Sequence, residues 1–167
     1  MKNTKKLLYL GFCIGIALVI YFVEAQIPVL FPGIKLGLAN SVSLFVLFFF
    51  GWKEAIAVMI IRTFLGSLFG GNLFAFFFSL SGGLFSNIVT IIALKYFKED
   101  VSIEWLSVLG AVFHNIGQLL IAAFLIRDFR IYFYFPILNI SSIITGYFTG
   151  IVTKNLYLRL NKIKHIK

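Results

Sequence analysis

Phe31-Pro-Gly-Ile-Lys-Leu-Gly-Leu-Ala-Asn40 is a Pro-Gly turn with one lysine, and it feeds straight into an apolar run that holds a single amide, Asn40. A charge or an amide at the mouth of a hydrophobic helix costs free energy unless something uses it. For a charge near the centre of a bilayer, insertion scales put the cost at about 2.5–3.5 kcal/mol. The run continues to Phe50 without a charged residue. The stretch therefore reads as the rim of a ligand site on one side of a membrane, with Lys35 at the rim and Asn40 just below it. Pro32 and Gly33 read as the hinge of a lid, because proline fixes φ and glycine permits backbone angles that other residues avoid.

Composition agrees. Of 167 residues, 60% are hydrophobic, 13% are charged and 21 are phenylalanine, and the mean hydropathy is +1.00. Soluble domains run at about 45–50% apolar and about 25% charged. A soluble chain of this size cannot hide so much apolar surface, so the expected class is an all-helical integral membrane protein in which residues 1–167 form a single transmembrane domain. The net charge of +9 sits between apolar runs, which points to membrane orientation and away from nucleic acid. A single cysteine, Cys13, excludes a disulfide or a cysteine metal site within the chain.

Six apolar runs follow in order, covering residues 7–23, 36–50, 55–69, 73–94, 105–126 and 131–153. Residues 1–6 and 154–167 are basic flanks. The first run exceeds the 7–15 residues of a signal-peptide core, and Phe12 is too large for the position before a lipoprotein cysteine, so neither cleavage is expected. With both termini cytoplasmic, the inner segments hold Lys2, Lys5, Lys6, Lys53, Lys95, Lys98, Lys154, Arg159, Lys162, Lys164 and Lys167. The outer loops hold only Lys35, Arg127 and Arg130. That asymmetry is the positive-inside pattern of a multi-pass protein of the bacterial cytoplasmic (inner) membrane. The second and third runs are short of the ~20 residues a crossing needs. A re-entrant hairpin with four full spans is therefore an alternative that leaves the charge asymmetry unchanged.

On this topology, polar groups from several segments fall at compatible depths: Lys35, Asn40, Arg62, Asn72, His114, Gln118 and Asn139 are the candidate substrate-binding residues. His114 and Gln118 are four residues apart and share a helix face. An intramembrane arginine is a functional hypothesis in itself. No acidic residue lies within an apolar run to neutralise Arg62; Glu24 closes the first run, and Glu54, two turns inward, is the nearest acidic candidate. The set is cationic or neutral, which suits an anionic or acceptor-rich ligand. Ser86, Asn87 and Asn115 read instead as helix–helix glue. Gly11-x-x-x-Gly15 and Gly146-x-x-x-Gly150 permit close backbone approach; the second suits packing within the bundle, and Gly11 and Gly15 suit a partner protein.

Several chemistries lack their residues. No Walker-type glycine loop is present, so no nucleotide hydrolysis is encoded. Prenyl-chain synthesis needs clustered aspartates to hold magnesium on a diphosphate, yet the aspartates are Asp100 and Asp128, on opposite sides of the membrane. No catalytic residue, cofactor or metal site is expected.

The segments Pro32-Gly-Ile-Lys-Leu-Gly-Leu-Ala-Asn40, Arg62-Thr-Phe-Leu-Gly-Ser67, Phe78-Ser-Leu-Ser-Gly-Gly83, Gly110-Ala-Val-Phe-His-Asn-Ile-Gly-Gln118 and Pro136-Ile-Leu-Asn-Ile-Ser141 resemble a bacterial family known both as heptaprenyl diphosphate synthase component I and as the Gx transporter family. The layout is also similar to the substrate-binding S components of energy-coupling factor transporters, an architectural analogy. That likeness implies uptake of a vitamin, flavin or prenyl-type ligand from the outer face, with a membrane scaffold subunit and ATPase subunits as partners. The family name implies a membrane component of polyprenyl diphosphate synthesis as the alternative. Relatives associated with flavin-dependent electron transfer imply a third, a structural subunit of a membrane redox complex.

Overall fold

A computed structural model describes residues 2–26, 38–71, 73–97 and 100–165. The chain is all-helical: α1 (Lys2–Ala25), α2 (Asn40–Phe49), α3 (Trp52–Phe69), α4 (Leu73–Phe97), α5 (Ile103–Ile126) and α6 (Phe135–His165), with a 3-10 segment at Phe129–Tyr134 before α6. No strand occurs among the described residues. Each apolar run of the sequence has become one helix. Four of them, α1, α4, α5 and α6, are long and apolar enough to cross a membrane. α3 has 18 residues but carries Lys53, Glu54 and Arg62.

Helix ends follow local chemistry. Gly51 joins α2 to α3 at φ 110°, a left-handed angle that glycine adopts without steric cost. The Ser102 side chain caps α5 by accepting from the Trp105 amide, which satisfies one of the orphan donors of the first turn. Asp128 accepts from the Arg130 amide at 2.9 Å and turns the chain into the 3-10 segment.

α5 is the central helix, packed along α4 on one side and α6 on the other. Glycines set both crossings. A Cβ at Gly146 would stand 2.8 Å from Val108 Cα, and one at Gly150 would stand 2.6 Å from Glu104 Cα. A Cβ at Gly117 would stand 2.8 Å from the Ser81 carbonyl. The second small-residue motif therefore packs inside the bundle. Gly11 and Gly15, by contrast, have nothing within 4 Å of a built Cβ. α1 lies at the edge and packs mainly on α3. Lys6 bonds Glu54 near one end of that pair, which holds the Glu54 carboxyl below the usual carboxylate range. Near the other end the Tyr21 ring lies against Gly66, so α1 and α3 run in the same direction.

α2 differs from the expected run of 36–50. It is a helix of 10 residues, about 15 Å long at 1.5 Å per residue, half of a ~30 Å hydrocarbon layer. It lies beside the last part of α6. Thr153 Oγ1 donates to the Ser41 carbonyl at 3.3 Å, and Phe48 packs on Tyr157 with centroids 5.9 Å apart. The length of α2 suits the re-entrant alternative better than a full crossing. Lys35, Pro32, Gly33 and Asn72, named above as rim, hinge and site residues, lie outside the described residues.

Candidate functional site

Arg62 is the eleventh residue of α3, 5% exposed, and its side chain reaches across to the start of α2. There its Nη2 donates to Asn40 Oδ1, and its Nε donates to Ser43 Oγ at 3.4 Å. Asn40 and Ser43 are three residues apart on α2 and so present one face to the guanidinium. Two residues singled out in the sequence, Arg62 and Asn40, are thus direct partners. The third partner was missed. Glu24, in the last turn of α1, is buried at 4% exposure, and its carboxylate favours the charged form of Arg62. The expectation that no acidic residue neutralises Arg62 is therefore corrected. Glu24 closes the first apolar run in the sequence and reads there as the start of a loop, but α1 continues to Ala25 and carries it inward. An intramembrane charge needs a partner, and a carboxylate at the edge of a neighbouring run was the signal to follow.

Asn40 and Ser43 also form one wall of a small cavity of about 20 Å³ between α2, α4, α5 and α6. Its other polar walls are Ser41 of α2, Ser86, Asn87 and Thr90 of α4, Ser107 of α5 and Thr149 of α6. Thr90 donates to the Ser86 carbonyl at 2.8 Å, and the Asn87 amide donates to the Gly83 carbonyl at 2.8 Å. Thr149 donates to the Gly146 carbonyl at 3.0 Å, so in its 2.9 Å contact with Ser107 the serine supplies the proton. Thr90, Thr149, Ser107 and one of the two Asn87 N–H groups donate to protein, so the lining keeps oxygen acceptors together with the second Asn87 N–H. A cavity of this size holds about one water-sized group. Ser86 and Asn87, read from sequence as glue between helices, both line the cavity; Ser86 also packs closely on Gly110 of α5, while the Asn87 amide bonds along its own helix.

The remaining candidates, His114, Gln118 and Asn139, do not line this cavity. His114 and Gln118 are buried on α5. A Cβ at Gly82 would stand 2.8 Å from the His114 ring, so the imidazole packs directly on the backbone of α4. Ser81 Oγ donates to the Gly117 carbonyl at 2.8 Å. Asn115 donates to the Leu138 carbonyl at 3.0 Å and joins α5 to α6 beside Asn139. Gln118 Nε2 and Asn139 Oδ1 are buried and meet no hydrogen-bond partner among the described residues.

The comparisons agree with the motifs. The family model described as heptaprenyl diphosphate synthase component I matches residues 13–156, which takes in the five segments that carry the resemblance and every candidate substrate-binding residue. Comparison with curated proteins and with solved structures finds no match.

Proposed function

The chain belongs to the heptaprenyl diphosphate synthase component I family, and on that premise we propose that it is a membrane-embedded subunit that captures an acceptor-bearing small molecule and passes it inward together with a partner subunit. The observation that carries this reading is Arg62, buried on α3 and bonded to Asn40 and Ser43, two residues that also wall a polar cavity at the heart of the bundle. Polar groups converging from several helices on one buried place are the pattern of a small-molecule site. Lys35, Asn40, Arg62, Asn72, His114, Gln118 and Asn139 are its proposed residues, and the domain is the whole chain. The word component in the family's description supports a partner. Gly11 and Gly15 on the exposed side of α1 are the proposed contact with a membrane scaffold, which would bring its ATPase subunits. The test is a binding screen of the purified chain against vitamins, flavins and prenyl diphosphates. Absence of a saturable ligand from all three classes, with the protein folded, counts against capture.

The family name itself favours a second reading, a component of heptaprenyl diphosphate synthesis. The two aspartates, Asp100 and Asp128, lie in separate connections, one after α4 and one after α5, so the chain offers no paired aspartates for magnesium. The purified chain with an allylic diphosphate, isopentenyl diphosphate and magnesium is expected to make no longer prenyl product. Robust elongation by the chain alone replaces the capture reading with the synthase reading.

The proposed orientation, cytoplasmic at both termini, rests on the distribution of lysine and arginine. Cysteines introduced at Asn3 and Lys164 are expected to resist an impermeant thiol reagent in intact cells, while one at Ile34 reacts. Labelling at either terminus from outside inverts the topology.

A further inference from the structure

The polar cavity between α2, α4, α5 and α6 selects its guest by size, by charge and by hydrogen-bond sense. We infer that it is a hydroxyl site: it takes one neutral O–H group, supplied by a water molecule or by an alcohol ligand. As the seat of a ligand's hydroxyl it rests on the capture reading; as the seat of a water it stands without it. Size sets the first limit. A volume of about 20 Å³ admits one water-sized group, which leaves out a carboxylate, a phosphate or an amide with their several heavy atoms. Charge sets the second. Arg62 donates from α3 to Asn40 and Ser43, which wall the cavity. A bare cation placed there would stand one side chain away from a guanidinium.

Hydrogen-bond sense narrows the guest further. The Thr149 proton goes to the Gly146 carbonyl, the Ser107 proton to Thr149 and the Thr90 proton to the Ser86 carbonyl. Toward a guest these three oxygens can only accept. Ser43 and Ser86 have the opposite sense. They are 3% and 8% exposed, both line the cavity, and their hydroxyl protons meet no acceptor among the described residues. Ser43 Oγ already accepts from Arg62 Nε at 3.4 Å, so its proton is the part left to satisfy. An anion would meet the lone pairs of the spent hydroxyls, and a cation would meet the unspent protons. An O–H group accepts from Ser43 or Ser86 and donates to Thr90 or Thr149, and so pairs groups that are costly to bury unpaired. Gly110 keeps the room for it. A Cβ there would stand 2.9 Å from Ser86 Oγ and 3.0 Å from Thr90 Cγ2, so a larger residue would crowd both of those side chains. One guest thereby joins α2, α4 and α6 through side chains that do not bond one another directly.

The test is pulsed radiolytic labelling of the full chain in lipid nanodiscs, in which hydroxyl radicals formed from a bound water oxidise the side chains beside it. Leu106 lines the cavity and is 1% exposed. Val58, equally buried in the apolar core, is the dry control. Leu106 is expected to be oxidised and Val58 spared. A folded chain in which Leu106 is as silent as Val58 overturns the inference and leaves the capture reading standing on Arg62. Ser86→Val exchanges the hydroxyl for volume, and Thr149→Val keeps the volume and removes the oxygen. Each is expected to lose the label at Leu106, and a label that persists in both folded variants overturns the assignment to this cavity. The source of the hydroxyl is read with paired probes, benzyl alcohol against toluene and farnesol against its methyl ether. Protection of Leu106 by the alcohol and not by its counterpart assigns the seat to a ligand's hydroxyl. Unchanged labelling with every probe assigns it to water. Equal protection by both members of a pair reveals a guest that needs no O–H and overturns the hydroxyl chemistry.

Discussion

Replacing Arg62 by glutamine destabilises the protein by about 3–5 kcal/mol, and replacing Glu24 by glutamine in the same chain restores most of the loss. The reason is the isolation of the pair. Arg62 and Glu24 are 5% and 4% exposed, and the charge of each bears on the other. Removing the arginine leaves a carboxylate with no water and no counter-charge, whereas removing both leaves two amides that bond one another or their neighbours. Asn40 and Ser43 also lose their donor in the single variant, and the shorter amide introduced there replaces only part of it. The measurement is a double-mutant cycle from denaturant melts in detergent, with the coupling between the two positions as the readout. An Arg62→Gln chain that folds with wild-type stability removes the charge pair from the account. The cycle also separates two roles. If Arg62 binds ligand and nothing else, the single variant loses affinity without losing stability, and Glu24→Gln brings no rescue.

The helices were legible in the sequence, and their depths were not. Six apolar runs became six helices because each run carries enough apolar surface and too few breakers to do anything else in that length. The start of α2 was not visible, because Leu36-Gly-Leu-Ala39 is as apolar as the residues after it, and hydropathy does not say where intrahelical bonding begins. Its observed start at Asn40 places Asn40 against a cavity deep in the bundle, where Gly110 and Gly146 also lie. Glu24 was missed for a related reason. A carboxylate that ends an apolar run is assumed to stand in water, yet α1 has 24 residues, about 36 Å, and packs that end on α3. The link between Arg62 and Asn40 was legible as compatible depth. The division of the polar set was not: Arg62 reaches Asn40 of α2, while Gln118 of α5 and Asn139 of α6 do not line the cavity that Asn40 walls. Nothing in a single chain of residues records which neighbours a helix face will meet.

The second large effect concerns two copies of one motif, with opposite outcomes expected. Gly146→Leu with Gly150→Leu is expected to cost about 2 kcal/mol or more and to break the α5–α6 crossing. A Cβ at Gly150 already falls 2.6 Å from Glu104 Cα and 3.0 Å from Ser107 Cβ, and at Gly146 it falls 3.0 Å from Ala111 Cβ. Those obstacles are backbone and short side chains, which cannot swing aside. The strain also reaches the polar site, since Gly146 and Ser107 line the cavity with Thr149, and it reaches the Lys154–Glu104 ion pair at 2.6 Å. Gly11→Leu with Gly15→Leu adds the same volume where a Cβ meets nothing within 4 Å, so stability is expected to stay within about 0.5 kcal/mol. The cost there falls on the proposed scaffold contact, because a bulky side chain prevents the close backbone approach that small residues allow. Thermal melts of both double variants, with co-purification of the partner subunit from the native membrane, separate the two. A destabilised Gly11/Gly15 variant makes that face part of the bundle and removes it as an interface. A stable variant that still captures its partner places the contact on another helix. Only a stable chain that binds ligand and fails to hold its partner supports α1 as the docking helix.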